Sequence, residues 1–142
     1  MWLSLVYTAI FLNILLINIF LIYIVPVQKI IQVQIKYINK SIEIIKSKIN
    51  NPKFFLWSND FKNLDSFFPK NNFTFVSTNK IDNDLYLMSQ SKHHIVIPSS
   101  FNWWGTWLGY SKKSLVIRPS HKHFSNFNLN NRDFWPDNWT IV

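Results

Sequence analysis

Ser99 and Ser100 close a short apolar run, HHIVIP, and open an aromatic one, FNWWGTWLG. Two hydroxyls beside the unpaired N–H groups of a starting helix can hold a phosphate. Serine at that place also caps helices as a matter of routine, so the pair reads either as a plain N-cap or as a phosphate cradle. Asp82-Asn83-Asp84 offers a second chemistry. Two carboxylates two apart can hold a divalent metal on a nucleotide diphosphate; equally, aspartate at a helix start acts as a cap and complements the helix dipole. His93 and His94 are adjacent on an extended run and point to opposite faces, so they do not chelate one ion together. His121 and His123 can share a face as a weak metal site, although a solvated loop accounts for them as well. The chain has no cysteine, which removes thiolate catalysis and cysteine-ligated metals. No Ser-His-Asp spacing, Walker loop or GxGxxG is present.

These residues need elements to place them. Ile31, Ile35, Ile38, Ile42, Ile45 and Ile49 recur every three or four residues and predict an amphipathic helix over 28–49, stopped by Asn50-Asn51-Pro52. FFLWS (54–58), FTFV (73–76), HHIVIP (93–98) and SLVIRP (114–119) read as short buried strands. NDFKNLDSFF (59–68), residues 82–90 and residues 101–110 read as helices between them, and FWPDNWTIV (134–142) as a last strand or a docking helix. Strands alternating with helices predict an α/β fold with a parallel sheet and right-handed crossovers. In such sheets ligands bind beyond the carboxyl ends of strands, where Ser99 and Ser100 fall. Trp103, Trp104 and Trp107 stand at helical spacing and read as core packing. Gly105 and Gly109, four apart, let that helix approach a strand closely.

Residues 2–25 carry no charge and precede Pro26. At about 1.5 Å per residue this run is long enough for a membrane span, which predicts one transmembrane helix over 2–25. It lacks the basic start and small-residue cleavage pattern of a signal peptide. Domains are therefore expected at 1–26, an anchor, and 27–142, the soluble unit. Lysines follow the span and none precedes it, which puts the soluble unit in the cytosol by the positive-inside rule. Three Asn-x-Ser/Thr triplets point weakly the other way. Net charge is +8, with only Arg118 and Arg132 as arginines. Scattered lysines without arginine forks predict a solvated basic surface and no nucleic-acid partner.

From Tyr37 to the end the chain resembles the C-terminal half of the alpha-1,2-fucosyltransferases of glycosyltransferase family 11. YINKSIEIIKSKINNPKFFLWSND (37–60) is similar to a helix and strand ending in F-S-D-D. DNDLYLMSQSKHHIVIPSSFNWWGTWLG (82–109) resembles the family's motif D-x-x-L-M-S-x-C-K-H-x-I-x-x-N-S-S-F-S-W-W-x-A-W-L. SLVIRP and FWPDNWTIV resemble the strand and the terminal segment that follow. The resemblance implies a Rossmann-like parallel sheet, the C-terminal half of a GT-B fold, behind the membrane helix. It implies GDP-fucose as donor, a galactose-containing glycan as acceptor, inversion at the sugar, and no metal. It places Asp84 at the guanine edge, Ser99 and Ser100 on the diphosphate, Phe101 in the pocket wall, and Trp103, Trp104 and Trp107 as packing. A family enzyme of Golgi type would be lumenal. Departures are also plain. F-S-D-D is here Trp57-Ser58-Asn59-Asp60, the cysteine of C-K-H is Ser91, and H-x-R-R-G-D, with its diphosphate arginine, is absent. The expectation is a truncated transferase, its catalytic residues unassigned, with a partner chain to supply the other half, or a non-catalytic nucleotide-sugar-binding module.

Overall fold

The computed structural model describes residues 19–24, 28–121 and 134–142. Among them six strands form one sheet in which every neighbouring pair is parallel. They are β1 (Ile19–Ile24), β2 (Lys53–Ser58), β3 (Phe73–Val76), β4 (His93–Ile95), β5 (Val116–Arg118) and β6 (Thr140–Ile141). Helix α1 (Gln28–Lys48) joins β1 to β2, α2 (Ile81–Ser89) joins β3 to β4, and α3 (Ser100–Gly109) joins β4 to β5. The order across the sheet is β3-β2-β1-β4-β5-β6. The chain winds outward from β1, returns, and winds outward again from β4, which is the doubly wound, Rossmann-like order. Right-handed crossovers then put α1 on one face and α2 and α3 on the other.

β1 corrects the reading of the N-terminal run. Residues 19–24, the end of the expected transmembrane helix, are the strand at the sheet's centre. They pair with β2 from Ile19↔Lys53 to Ile24↔Ser58 and with β4 from Phe20↔His93 to Ile22↔Ile95. The sheet therefore begins upstream of the boundary expected at residue 27. The physical reason is that a central parallel strand is covered on both faces and is apolar at every position, as a membrane helix is. Residues 1–18 lie outside the described residues. Among the described ones, no helix is long and apolar enough to cross a membrane.

Burial explains the other elements. Phe54, Phe55, Leu56 and Trp57 of β2 are all buried, so helices or loops cover both sides of that strand. α1 buries Ile35, Ile38, Ile42 and Ile45 and turns Lys36 and Lys40 to solvent. Its Tyr37 is fully buried, and its one hydroxyl proton is shared between Val96 O at 2.8 Å and Ile117 O at 2.9 Å. One phenol thereby ties α1 to the ends of β4 and β5. Burial raises its pKa well above the usual value, which keeps that donor proton in place.

The segment 59–68, expected to be helical, makes only a 3-10 turn at Leu64–Ser66. Ser58 Oγ donates to Asp60 O, Asp60 Oδ1 accepts from Lys62 N at 2.8 Å, and Asn63 stands in the left-handed region. These side-chain bonds compete with a helix at its start. Leu64 and Phe68 are still buried, so the turn contributes to the core without being a helix.

Gly105 and Gly109 serve a helix rather than a strand. A Cβ on Gly109 would lie 2.3 Å from Ser89 O, and one on Gly105 would lie 2.8 Å from Met88 Cβ. α3 therefore runs against α2 with almost no side chain between them. Gly109→Ala is expected to lower the unfolding free energy by about 1–3 kcal/mol, because backbone meets the new methyl and must move. In an ordinary helix the same change would stabilise. An unchanged urea midpoint would show that the helices separate at no cost.

Candidate functional site

The strand order reverses between β1 and β4, so the crevice of the fold opens at their carboxyl ends. The turn after β4 enters it. Val96 and Ile97 are buried; Ser99 N donates to Ile97 O at 2.7 Å, and Trp103 N donates to Ser99 O at 2.9 Å to start α3. Ser99 is the extended N-cap residue. Its Oγ accepts from Asn102 N at 3.5 Å, the outer limit of a hydrogen bond. The cap is thus loosely engaged, and Ser100 beside it is exposed.

Asn102, which sequence reasoning did not single out, holds this turn. It is completely buried, and its Oδ1 accepts from Ile97 N at 2.8 Å. Its Nδ2 has no hydrogen-bond partner among the described residues. The signal in the sequence was a polar residue two places into an otherwise aromatic stretch.

A cleft of roughly 160 Å³ lies alongside. Trp57, Ser58 and Asn59 form one wall at the end of β2, Ile81 and Asp84 come from the start of α2, and Phe101 comes from the start of α3. Asp84 and Phe101 are thus brought together. Ser99 and Ser100 adjoin Phe101 in the same turn without lining the cleft. Asp84 is fixed by the loop before its helix, because its Oδ1 accepts from Thr78 N at 3.1 Å. Asp82 is exposed and does not line the cleft, so the two carboxylates do not act on one space. Among the described residues no three His, Asp or Glu side chains converge as metal ligands. The Trp57-Ser58-Asn59 wall is where the departure from F-S-D-D falls. Trp57 is 3% exposed, and its Nε1 has no partner among the described residues. Buried donors without partners are rare in folded chains, and two of them flank this site.

The histidines stand elsewhere. His93 and His94 lie at the start of β4, at the far edge of the sheet. His94 is fully buried, and its Nε2–H donates to Ser91 O at 3.0 Å. Burial lowers its pKa to about 3, against a partial rise from that bond. His93 Nδ1 accepts from Leu115 N at 2.9 Å; burial, then the Lys92 charge, lowers its pKa to about 4. Both are neutral structural groups. His123 lies outside the described residues, and so does Arg132. Arg118 ends β5, with its guanidinium 5.9 Å from the Trp135 ring centre. Burial lowers its pKa, while Asp137 and Tyr37 pull the other way.

The tryptophans correct another expectation. Trp104 and Trp107 are each 51% exposed rather than core. Asn102, Gly105 and Thr106 take the inward face of α3, because α2 lies too close for an indole. Trp103 is intermediate: its Nε1 donates to Phe134 O at 2.7 Å, and its ring stacks on Trp107 at 6.1 Å. It packs beside a second core of Val96, Val116, Trp135 and Trp139.

Residues 23–142 match the model of glycosyl transferase family 11. An alpha-1,2-colitosyltransferase of Escherichia coli is 34% identical over 113 residues, covering 75% of this chain and 38% of that protein. The O-antigen biosynthesis glycosyltransferase WbnK of Escherichia coli is 28% identical over 87 residues, covering 58% of this chain and 29% of that protein. The chain thus spans less than half the length of either relative. No solved structure matches at a significant level. The match runs from within β1 to the last residue and takes in both the serine turn and the cleft, so the chain belongs to glycosyl transferase family 11.

Proposed function

We propose that this chain binds a GDP-linked 6-deoxyhexose, GDP-fucose first, and takes part in transferring the sugar to a galactoside hydroxyl. The observation that carries this reading is the convergence of Asp84 and Phe101 on one cleft beside the Ser99 turn. Asp84 would accept from the guanine N–H edge, and Phe101 would wall the base or ribose. Ser99 and Ser100, at the start of α3, would meet the diphosphate. That group is the leaving group, and its charge rises as the bond to the sugar breaks. Hydroxyls and helix N–H groups aimed at it would favour departure more than the bound ground state. The colitosyl relative makes colitose a second donor sugar to compare.

Calorimetry with GDP, GDP-fucose, ADP and UDP tests the reading. Expected is binding of both guanine nucleotides at micromolar to millimolar concentration, with ADP and UDP at least about tenfold weaker, roughly 1.4 kcal/mol. Absence of guanine-nucleotide binding at millimolar concentration overturns it. Binding without transfer to a galactoside would assign this chain the nucleotide-sugar half of the work alone.

A further inference from the structure

In an all-parallel sheet each crossover helix ends at the amino edge, and the next loop leads up into the following strand. That geometry sorts the charges of this chain. Lys46 and Lys48 end α1, Lys53 opens β2, Lys92 precedes β4, and Lys112 and Lys113 fill the turn before β5. All six are exposed. At the opposite edge charges of both signs mix: Asp60 and Lys62 follow β2, and Lys80, Asp82 and Asp84 open α2. Among the described residues Glu43, Asp65 and Asp137 are the acids that stand away from that opposite edge.

α3 sets an apolar surface beside this rim. Its last turn exposes Trp107 and Leu108, at 51% and 54%, and Trp104 lies one turn earlier. Tyr86 on the neighbouring α2 is 53% exposed. The close fit of α3 on α2 accounts for their outward position; Trp103, Trp104 and Trp107 pack on one another and leave about half of Trp104 and of Trp107 exposed. Indole rings favour the boundary between water and lipid, and lysine heads reach lipid phosphates from there. The chain also enters β1 at this edge, from residues 2–18, which carry no charge.

We infer that the amino edge of the sheet, with the outer face of α3, docks on an anionic lipid surface. Charge complementarity selects this occupant: a lysine rim with few acids meets anionic headgroups, while the indoles enter the interface. A nucleic-acid duplex would satisfy the lysines but not Trp104, Trp107 and Leu108, because its bases are already stacked on one another, and no base would take up Leu108. In this pose the candidate cleft, at the opposite edge, faces away from the lipid. The inference rests on the fold and its charges and stands apart from the donor reading.

The absence of cysteine makes the test direct. In the full chain, Leu108→Cys and Ser77→Cys each take an environment-sensitive fluorophore at a single site, one by the rim and one at the carboxyl edge. Each is mixed with vesicles of phosphatidylcholine, with or without phosphatidylglycerol. Expected is a blue-shifted rise at position 108 only, only with phosphatidylglycerol, and reversed by salt. Replacing Lys92, Lys112 and Lys113 together by glutamine is expected to reduce partitioning on the order of a hundredfold. Equal partitioning into both vesicle types, an equal response at position 77, no response at position 108, or full partitioning of the triple variant overturns the inference.

Discussion

Asp84→Asn is expected to weaken GDP binding by about ten- to a hundredfold and to erase the preference for GDP over ADP. A carboxylate facing the guanine edge accepts from two N–H groups, and such charge-assisted bonds contribute about 1.5–3 kcal/mol. The amide puts an NH₂ where an acceptor is needed. Asparagine is the informative choice because Asp84 also has a structural duty, accepting from Thr78 N through Oδ1. The amide oxygen can keep that bond, so the loop before α2 stays in place. Alanine would lose both duties and confuse them. The measurement is a pair of titrations with GDP and ADP, beside a thermal melt. An equal loss for both nucleotides, or a loss that follows the melting temperature, would leave Asp84 with the structural duty alone.

Acid is expected to unfold the protein early, through the histidines of β4. In the fold His94 binds a proton only near pH 3, against an ordinary value of 6.5, because it is wholly buried. The unfolded chain therefore binds more protons between those values. Its stability advantage is complete above the ordinary value and is lost as pH falls. In that window each such histidine costs about 1.4 kcal/mol per pH unit, and His94 alone costs several kcal/mol across it. His93, lowered to about 4, adds to the upper part of the same window. Urea unfolding at several pH values between about 7 and about 4.5 measures the slope. His94→Gln, which keeps a donor for Ser91 O, should flatten it by about one proton. An unchanged slope would show that His94 reaches solvent and titrates normally.

Much of the fold was legible where two signals coincided. α1 showed its isoleucine stripe, and β2 to β5 were short apolar runs between breakers. β1 was not legible. An uncharged run carries no period, and only its neighbours in the sheet distinguish a buried strand from a membrane helix. Nor does any residue announce the order β3-β2-β1-β4-β5-β6, which arises from long-range pairing. The exposure of Trp104 and Trp107 was hidden for a related reason. Their spacing suited a core, but Gly105 and Gly109 decide which face turns inward, and they do so through Met88 and Ser89 on another helix. Of the candidate site residues, Ser99 and Ser100 were legible from their place beyond a strand's carboxyl end, while the roles of Asp84 and Phe101 came through family resemblance. The junction of Asp84 and Phe101 with Trp57-Ser58-Asn59 needed β2, α2 and α3 to be set side by side. Asn102 was missed because its duty is to the backbone of Ile97, which leaves no motif.

β1 bears on how this protein can be shortened. A cut placed after the apolar run, at residue 27, looks harmless when that run is taken for an anchor. It would remove the strand that β2 and β4 both pair with. The remainder would be two fragments of sheet, β2 with β3 and β4 with β5 and β6, each with an open edge where Ile22 now fills the middle. Open edges of that kind recruit other chains. Trimming for solubility would then yield aggregate, and residues 19–24 belong in any shortened form meant to fold.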